Sequence, residues 1–361
     1  MESTELAEAY VIFETLNARG KDLETSDLLK NYIFSKSNNI AISQRRWKKM
    51  IDDLGKADAT KYIRHFWNSR KEFTRDKALY RTISHAATTK TECENLLEDL
   101  EKHALFYHDM NDPSDVSEIS NTDLIASLKA LKLLKATSFF PVLLAMHQQN
   151  DYFDEDKIAI VACIIEKYVF KNFTICSQTA NTAEVFFAKI GKSIYDGDLI
   201  DTDEIVRTIA EKVVADEVFE TSFKAWNGSA SSKDTIRYIF RKIHYYLEPE
   251  SEVNVNNMEV HIEHILPQDS SEWESTITAS KKDAFIDLKD KYLWSLGNLC
   301  LLKGKFNQEI SNKVFSEKKQ RYKDSKIEPN SKIAKYKKWD EASIKQRIDE
   351  LYSYAKNIWE T

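Results

Sequence analysis

Met258-Glu259-Val260-His261-Ile262-Glu263-His264-Ile265-Leu266-Pro267 alternates apolar and polar residues with period two and stops at a proline. The stretch predicts a short β-strand in a chain whose other apolar residues recur mostly at helical spacing. A second strand is predicted at Leu296-Gly297-Asn298-Leu299-Cys300-Leu301-Leu302, entered through Gly-Asn after a long polar loop to Tyr292. A basic amphipathic helix follows, marked by Ile310, Val314 and Phe315, with Lys313, Lys318, Lys319 and Arg321 around them. Strand, loop, strand, helix is the expected local architecture.

Upstream the pattern is helical. Leu6, Tyr10, Phe13 and Leu16 keep helical spacing, and Asn17-Ala18-Arg19-Gly20 supplies a chain reversal. Thr25 or Ser26 caps a second helix whose apolar stripe is Leu28, Leu29, Tyr32 and Ile33. From about residue 40 to 250, amphipathic helices succeed one another without a fixed-period repeat. Examples are Leu124, Leu128, Leu131 and Leu134, then Val142 to Met146 behind Pro141, Ile158 to Phe170, and Ile236 to Leu247. This predicts a helical bundle or array, with Asn227-Gly228-Ser229-Ala230-Ser231-Ser232 as the best linker candidate. A final helix from Trp339 to Trp359 is expected to pack back on the module or the bundle.

Composition agrees with a mainly α fold. Seven Gly and five Pro in 361 residues are too few for a turn-rich sandwich or barrel, and 42% hydrophobic residues suffice for two or three packed units. No stretch of about 18 uncharged apolar residues occurs, since Ile158 to Ile165 is stopped by Glu166 and Lys167, so no membrane partner is expected. The acidic opening Met1-Glu2-Ser3-Thr4-Glu5 lacks the pattern of a signal peptide, which predicts a cytoplasmic protein. Cys93, Cys163, Cys176 and Cys300 form no CxxC pair, so neither a disulfide framework nor a structural zinc site is indicated. The net charge of −6 disfavours a polyanion, yet residues 301–347 hold 14 Lys plus Arg against 6 Asp plus Glu, leaving −14 on the rest. A basic C-terminal third on an acidic body suits a phosphate backbone, and a solvated helix surface accounts for the charge equally well.

His261, Glu263 and His264 fall within four residues. A carboxylate beside an imidazole suits a single-metal phosphodiesterase, because one group holds a hard cation while its neighbour takes a proton from water. Period two sends Glu263 and His264 to opposite faces of a regular strand, so the pair works only if the strand ends or bends there. Satisfied structural histidines are the alternative. No GxxxxGK[ST] loop, GxSxG elbow or HExxH helix is present, and the aromatics fall mostly at core spacing.

Glu263-His264-Ile265-Leu266-Pro267, then Asn298, then Asn307 nine residues later, resembles the HNH, or ββα-metal, nuclease motif. With Gln268, Trp294, Leu296-Gly297-Asn298-Leu299, Leu301-Leu302, Asn312, Phe315, Lys318-Lys319 and Tyr322, the segment resembles the C-terminal domain of the GmrSD family of modification-dependent (type IV) restriction endonucleases. Phe13-Glu14-Thr15-Leu16-Asn17-Ala18-Arg19-Gly20, with Leu23, Ser26 and Asp27 to Asn31, resembles the last part of that family's N-terminal domain. Residues 1–36 then read as a remnant of that domain, 37–250 as a helical domain, 251–325 as the HNH module and 326–361 as a helical extension.

The resemblance implies His264 as general base, Glu263 and Asn307 as ligands to one Mg²⁺ or Mn²⁺, and Asn298 as the residue fixing the loop that orients the base. It implies that His261 donates to phosphate or assists the metal, and that Lys313, Lys318, Lys319 and Arg321 meet the DNA backbone, although Lys318 and Lys319 read equally well as solvated lysines. Glu263 stands where many HNH proteins have Asp. The family's Asp-Gly-Gln-Gln-Arg type motif does not occur, so the chain reads as a truncated product without NTPase activity. A separate nucleotide-dependent N-terminal domain or subunit is then an expected partner. Glu14, Asn17 and Arg19 read as a helix cap and Gly turn in preference to a functional remnant.

The expected function is metal-dependent DNA endonuclease, of the restriction or phage-defence kind, on DNA with or without modified bases. A homodimer would let single-strand sites cut both strands. Its rivals are a non-catalytic DNA-binding or assembly subunit, and a nuclease directed at RNA.

Overall fold

The computed structural model describes residues 24–179, 181–257, 259–275 and 282–361. The Phe13–Gly20 motif and Leu23 therefore lie outside the described residues. Among those described, the fold is mainly α with one two-stranded sheet, as expected. No described helix is long and apolar enough to cross a membrane.

The chain divides into two compact units. The first comprises residues 1–132, 137–163 and 180–207, as far as they are described; the second comprises 133–136, 164–179 and 208–361. Helices are the regular elements of the first unit among its described residues, and local sequence explains their starts. Asn39 caps Ile40–Leu54 by accepting from the Ile42 amide, and Thr89 and Glu92 form a reciprocal capping box at Lys90–Lys102. Phe140–Gln148, with Pro141 in its first turn, is buried from Phe140 to Met146.

The second unit carries Asp216–Ala225 (α1), Lys233–Leu247 (α2), Val260–His264 (β1), Lys282–Tyr292 (α3), Leu299–Lys303 (β2), Gly304–Ile310 (α4), Phe315–Asp324 (α5) and Glu341–Ile358 (α6). β1 and β2 are antiparallel, with His261 opposite Leu302, Ile262 opposite Leu301, Glu263 opposite Cys300 and His264 opposite Leu299. Directly opposed residues share a face. Glu263 thus lies on the face of Cys300 and Leu302, which belongs to a core with Ile265, Leu266, Phe315, Tyr322, Trp339 and Ile344. His264 and Ile262 lie on the other face with Leu299 and Leu301, and α2 packs against both strands.

The final helix packs on this unit. The fully buried Arg347 of α6 donates Nη1 to the carbonyls of Leu296 (3.2 Å), Gly297 (2.8 Å) and Leu299 (2.6 Å). Gly297 permits that approach, because a Cβ there would stand 2.7 Å from the Ile344 carbonyl oxygen. Phe170 stacks on Trp359 at 4.2 Å, and Trp359 Nε1 donates to the Tyr238 hydroxyl (2.9 Å), which donates to Glu166 (2.6 Å).

Residues 164–179 and 208–250, grouped with the helical domain on sequence, therefore pack with the strands and α6. Amphipathic periodicity gives a helix its apolar face and not its partner, so the pattern could not assign them. The linker expectation at Asn227–Ser232 is also corrected. Asn227 forms a β-bridge with Ser295, Asn227 Nδ2 donates to the Lys291 carbonyl (3.1 Å), and the Gly228 amide donates to the Trp294 carbonyl (3.1 Å). The serines build a capped turn, with Ser229 Oγ accepting from the Ser231 amide and Ser232 Oγ from the Ser229 amide.

Candidate active site

His264 ends β1 and lines an open cavity with Lys233, Ile262, Pro267, Gln268, Trp294, Asn307, Ser311 and Asn312. Its Nδ1 stands 3.0 Å from the Leu293 carbonyl oxygen. A carbonyl only accepts, so the proton sits on Nδ1 and the lone pair on Nε2. The Trp294 ring meets the imidazole edge to face at 4.6 Å. Burial lowers the His264 pKa, the Leu293 hydrogen bond works against that, and the positive charges of Lys318 and Lys233 add to the lowering. The imidazole is therefore neutral at neutral pH, with the Gln268 side-chain amide nitrogen 3.2 Å from Nε2.

Asn298, fully buried in the turn before β2, holds this geometry. Its Oδ1 accepts from the Leu266 amide (2.8 Å) and Trp339 Nε1 (3.0 Å), while its Nδ2 donates to the carbonyls of Leu266 (3.0 Å) and Leu293 (3.2 Å). The Leu293 oxygen held by Asn298 is the one that orients His264. One amide with all four hydrogen-bonding positions filled thus joins the exit of β1 to the segment that fixes the imidazole.

Asn307 comes from α4, directly after β2. Its Nδ2 donates to the Ile262 carbonyl (3.3 Å), and its Oδ1 has no protein donor among the described residues. Ser311 closes the helix at φ 30°, in the left-handed region, with its amide on the Asn307 carbonyl (2.8 Å). That turn brings Ser311 and Asn312 to the cavity.

Glu263 borders the same cavity as Asn307, and one of its carboxylate oxygens is engaged from the core side. Its Oε1 accepts from Lys318 Nζ (2.7 Å) and from the Tyr322 hydroxyl (3.0 Å), and Lys318 Nζ also donates to the His264 carbonyl (2.9 Å). β1 ends at His264 but keeps its regular register up to that residue, so period two holds across the Glu263–His264 pair. Burial raises the Glu263 pKa while Lys318 pulls it down; burial lowers the Lys318 pKa while Glu263 pulls it up. Although Glu263 borders the cavity, its carboxylate is committed to this buried ion pair. Asn307 Oδ1 belongs to a cavity-lining residue and has no protein donor among the described residues, and no cluster of three or more His, Cys, Asp or Glu able to hold a metal occurs among them.

The other expected positions divide. Lys318 is fully buried and cannot meet a DNA backbone, which corrects that expectation. Lys319 Nζ donates to the Tyr336 carbonyl (2.8 Å), and Arg321 is paired with Glu309 (2.6 Å) and Asp324 (3.4 Å). Lys313 is exposed and has no ion pair among the described residues. His261 is exposed on the strand face away from His264 and does not line the cavity. Lys233, which does line it, carries no sequence signal beyond its place after the Ser-rich turn.

Residues 213–353 match the family model for the C-terminal domain of GmrSD restriction endonucleases. The matched span begins just before α1 and ends within α6, so it takes in both strands, Asn298, Asn307 and the cavity. No curated protein matches the chain.

Proposed function

We propose, from the match of residues 213–353 to the C-terminal domain of GmrSD restriction endonucleases, that the protein belongs to that family and is an HNH-type, metal-dependent DNA endonuclease acting in restriction or phage defence. The observation that carries this reading is the orientation of His264. Its Nδ1–H is fixed on Leu293, and its unprotonated Nε2 shares a cavity with Asn307. In this reading β1, β2 and α4 form the ββα unit.

His264 Nε2 takes the proton from a water as that water attacks the phosphorus, and the P–O3′ bond breaks, the 3′ oxygen taking a proton from solvent to give a 3′-hydroxyl beside a 5′-phosphate. Asn298 keeps the base oriented through Leu293 and Leu266. Asn307 Oδ1 would hold Mg²⁺ or Mn²⁺, which when bound neutralises charge on the scissile phosphate. Mg²⁺ commonly keeps several waters and takes phosphate oxygens as ligands, so Asn307 would be one contributor among them. Glu263 is left out of the ligand set because its carboxylate is paired with Lys318.

The test is incubation of the purified chain with unmodified plasmid and with glucosylated phage DNA, in Mg²⁺, Mn²⁺ or EDTA, beside His264→Ala. Cleavage that disappears in EDTA and in His264→Ala is expected; cleavage that survives His264→Ala refutes the assignment. A second reading, a DNA-binding or assembly subunit, draws on the pairing of the Glu263 carboxylate with Lys318. A folded chain that binds DNA and cuts none, alone or with a nucleotide-dependent partner, would establish it. Matched RNA substrates test the nucleic acid, and sedimentation tests the homodimer.

A further inference from the structure

We propose that Lys233 is a phosphate-binding residue of this site, its ammonium taking a non-bridging oxygen of the DNA backbone beside His264. The assignment rests on the nuclease reading and adds a contact that the family motif does not contain.

Three observations converge on it. Lys233 is exposed and lines the cavity together with His264, Gln268 and Asn307. It has no hydrogen bond or ion pair from its side chain among the described residues, whereas Lys318, Lys319 and Arg321 are all committed to protein partners. Its position is also tied to the base. The turn that delivers Lys233 is bonded to Lys291, Trp294 and Ser295, the stretch that also carries the Leu293 carbonyl holding His264. A displacement of this stretch would move lysine and imidazole together.

The chemistry suits a backbone phosphate. A lysine ammonium is a compact point charge that contacts phosphate without reading sequence. Lys233 opens the 15-residue helix α2, whose first-turn amides add partial positive charge at the same end. Asp234, exposed in that first turn, is the carboxylate that opposes it locally. The other carboxylate bordering the cavity, Glu263, is already balanced by Lys318. That leaves Lys233 as the uncompensated cation among the lining residues.

The test measures duplex DNA binding by the full chain in EDTA, by fluorescence anisotropy between about 50 and 200 mM salt. Lys233→Gln is expected to weaken binding and to reduce the slope of log K against log salt by about 0.9, the loss of one phosphate contact. Lys233→Arg should keep the slope, and Lys129→Gln, a control at an exposed lysine of the first unit, should keep it too. A wild-type slope in Lys233→Gln, an equal fall in Lys129→Gln, or a wild-type chain that binds no duplex overturns the proposal. A thermal unfolding curve for Lys233→Gln that overlays wild type shows that any binding change is not misfolding. Cleavage is read separately in Mg²⁺, so a reduced slope with no wild-type cleavage sinks the nuclease reading and leaves the phosphate contact standing.

Discussion

Lys318→Met separates the two readings of Glu263. In the structure this substitution removes the 2.7 Å partner of Glu263 Oε1 and the 2.9 Å donor to the His264 carbonyl, leaving a buried carboxylate with the Tyr322 hydroxyl at 3.0 Å. Leaving one member of a buried pair uncompensated costs about 3–5 kcal/mol. The loss should appear in urea unfolding of the full chain, with hydrogen exchange at the amides of β1 and β2 locating it. Without Lys318, Glu263 loses the main influence that lowers its pKa, and burial raises it against only the Tyr322 hydroxyl and a backbone hydrogen bond. A carboxyl whose folded pKa lies above its unfolded value binds protons more readily in the folded state, so the deficit is largest at high pH and shrinks on acidification. Replacing the whole group by apolar residues in Glu263→Leu/Lys318→Met/Tyr322→Phe should recover most of the loss, because no buried polar atom of the triad is left orphaned. The reasoning fails if Lys318→Met unfolds at the wild-type urea concentration while losing DNA affinity. It also fails if Glu263→Gln keeps full stability and loses Mn²⁺ binding, the signature of a ligand.

Three further outcomes follow from the same geometry. Asn298→Ala removes four hydrogen bonds from a fully buried site and should cost more than about 2 kcal/mol in thermal unfolding, with loss of the protected His264 Nδ1 proton by NMR. Gly297→Ala places a Cβ 2.7 Å from the Ile344 carbonyl oxygen and Ile348 Cγ1, so α6 must shift at a cost of about 1–3 kcal/mol in the same assay. The His264 imidazole should titrate below the ordinary histidine value in metal-free protein, followed by NMR. A folded pKa below the unfolded one means that stability is present above the unfolded value and lost as pH falls toward the folded one.

The strands were legible because alternation, proline and a Gly-Asn entry act within a few residues, and the Asn298 to Asn307 spacing survives as turn and helix positions on either side of β2. The linker was misread because Gly and Ser serve a capped turn as well as a flexible one. Only pairing with Ser295 and Trp294, more than sixty residues on, distinguishes them. The pairing of Glu263 with Lys318 follows a rule already visible in the sequence. Period two placed Glu263 away from His264, and a carboxylate turned toward a core needs a buried cation. Phe315 and Tyr322 mark the inner stripe of α5, and Lys318 lies three residues after the first and four before the second. Lys319 shares that stripe at four and three, so spacing alone does not choose between them. The choice is made in three dimensions: Lys318 reaches Glu263 and the end of β1, whereas Lys319 reaches the Tyr336 carbonyl. The basic helix is thus a clamp on β1. Because Lys318 also holds the carbonyl of His264 itself, stabilising the strand and positioning His264 are parts of one arrangement.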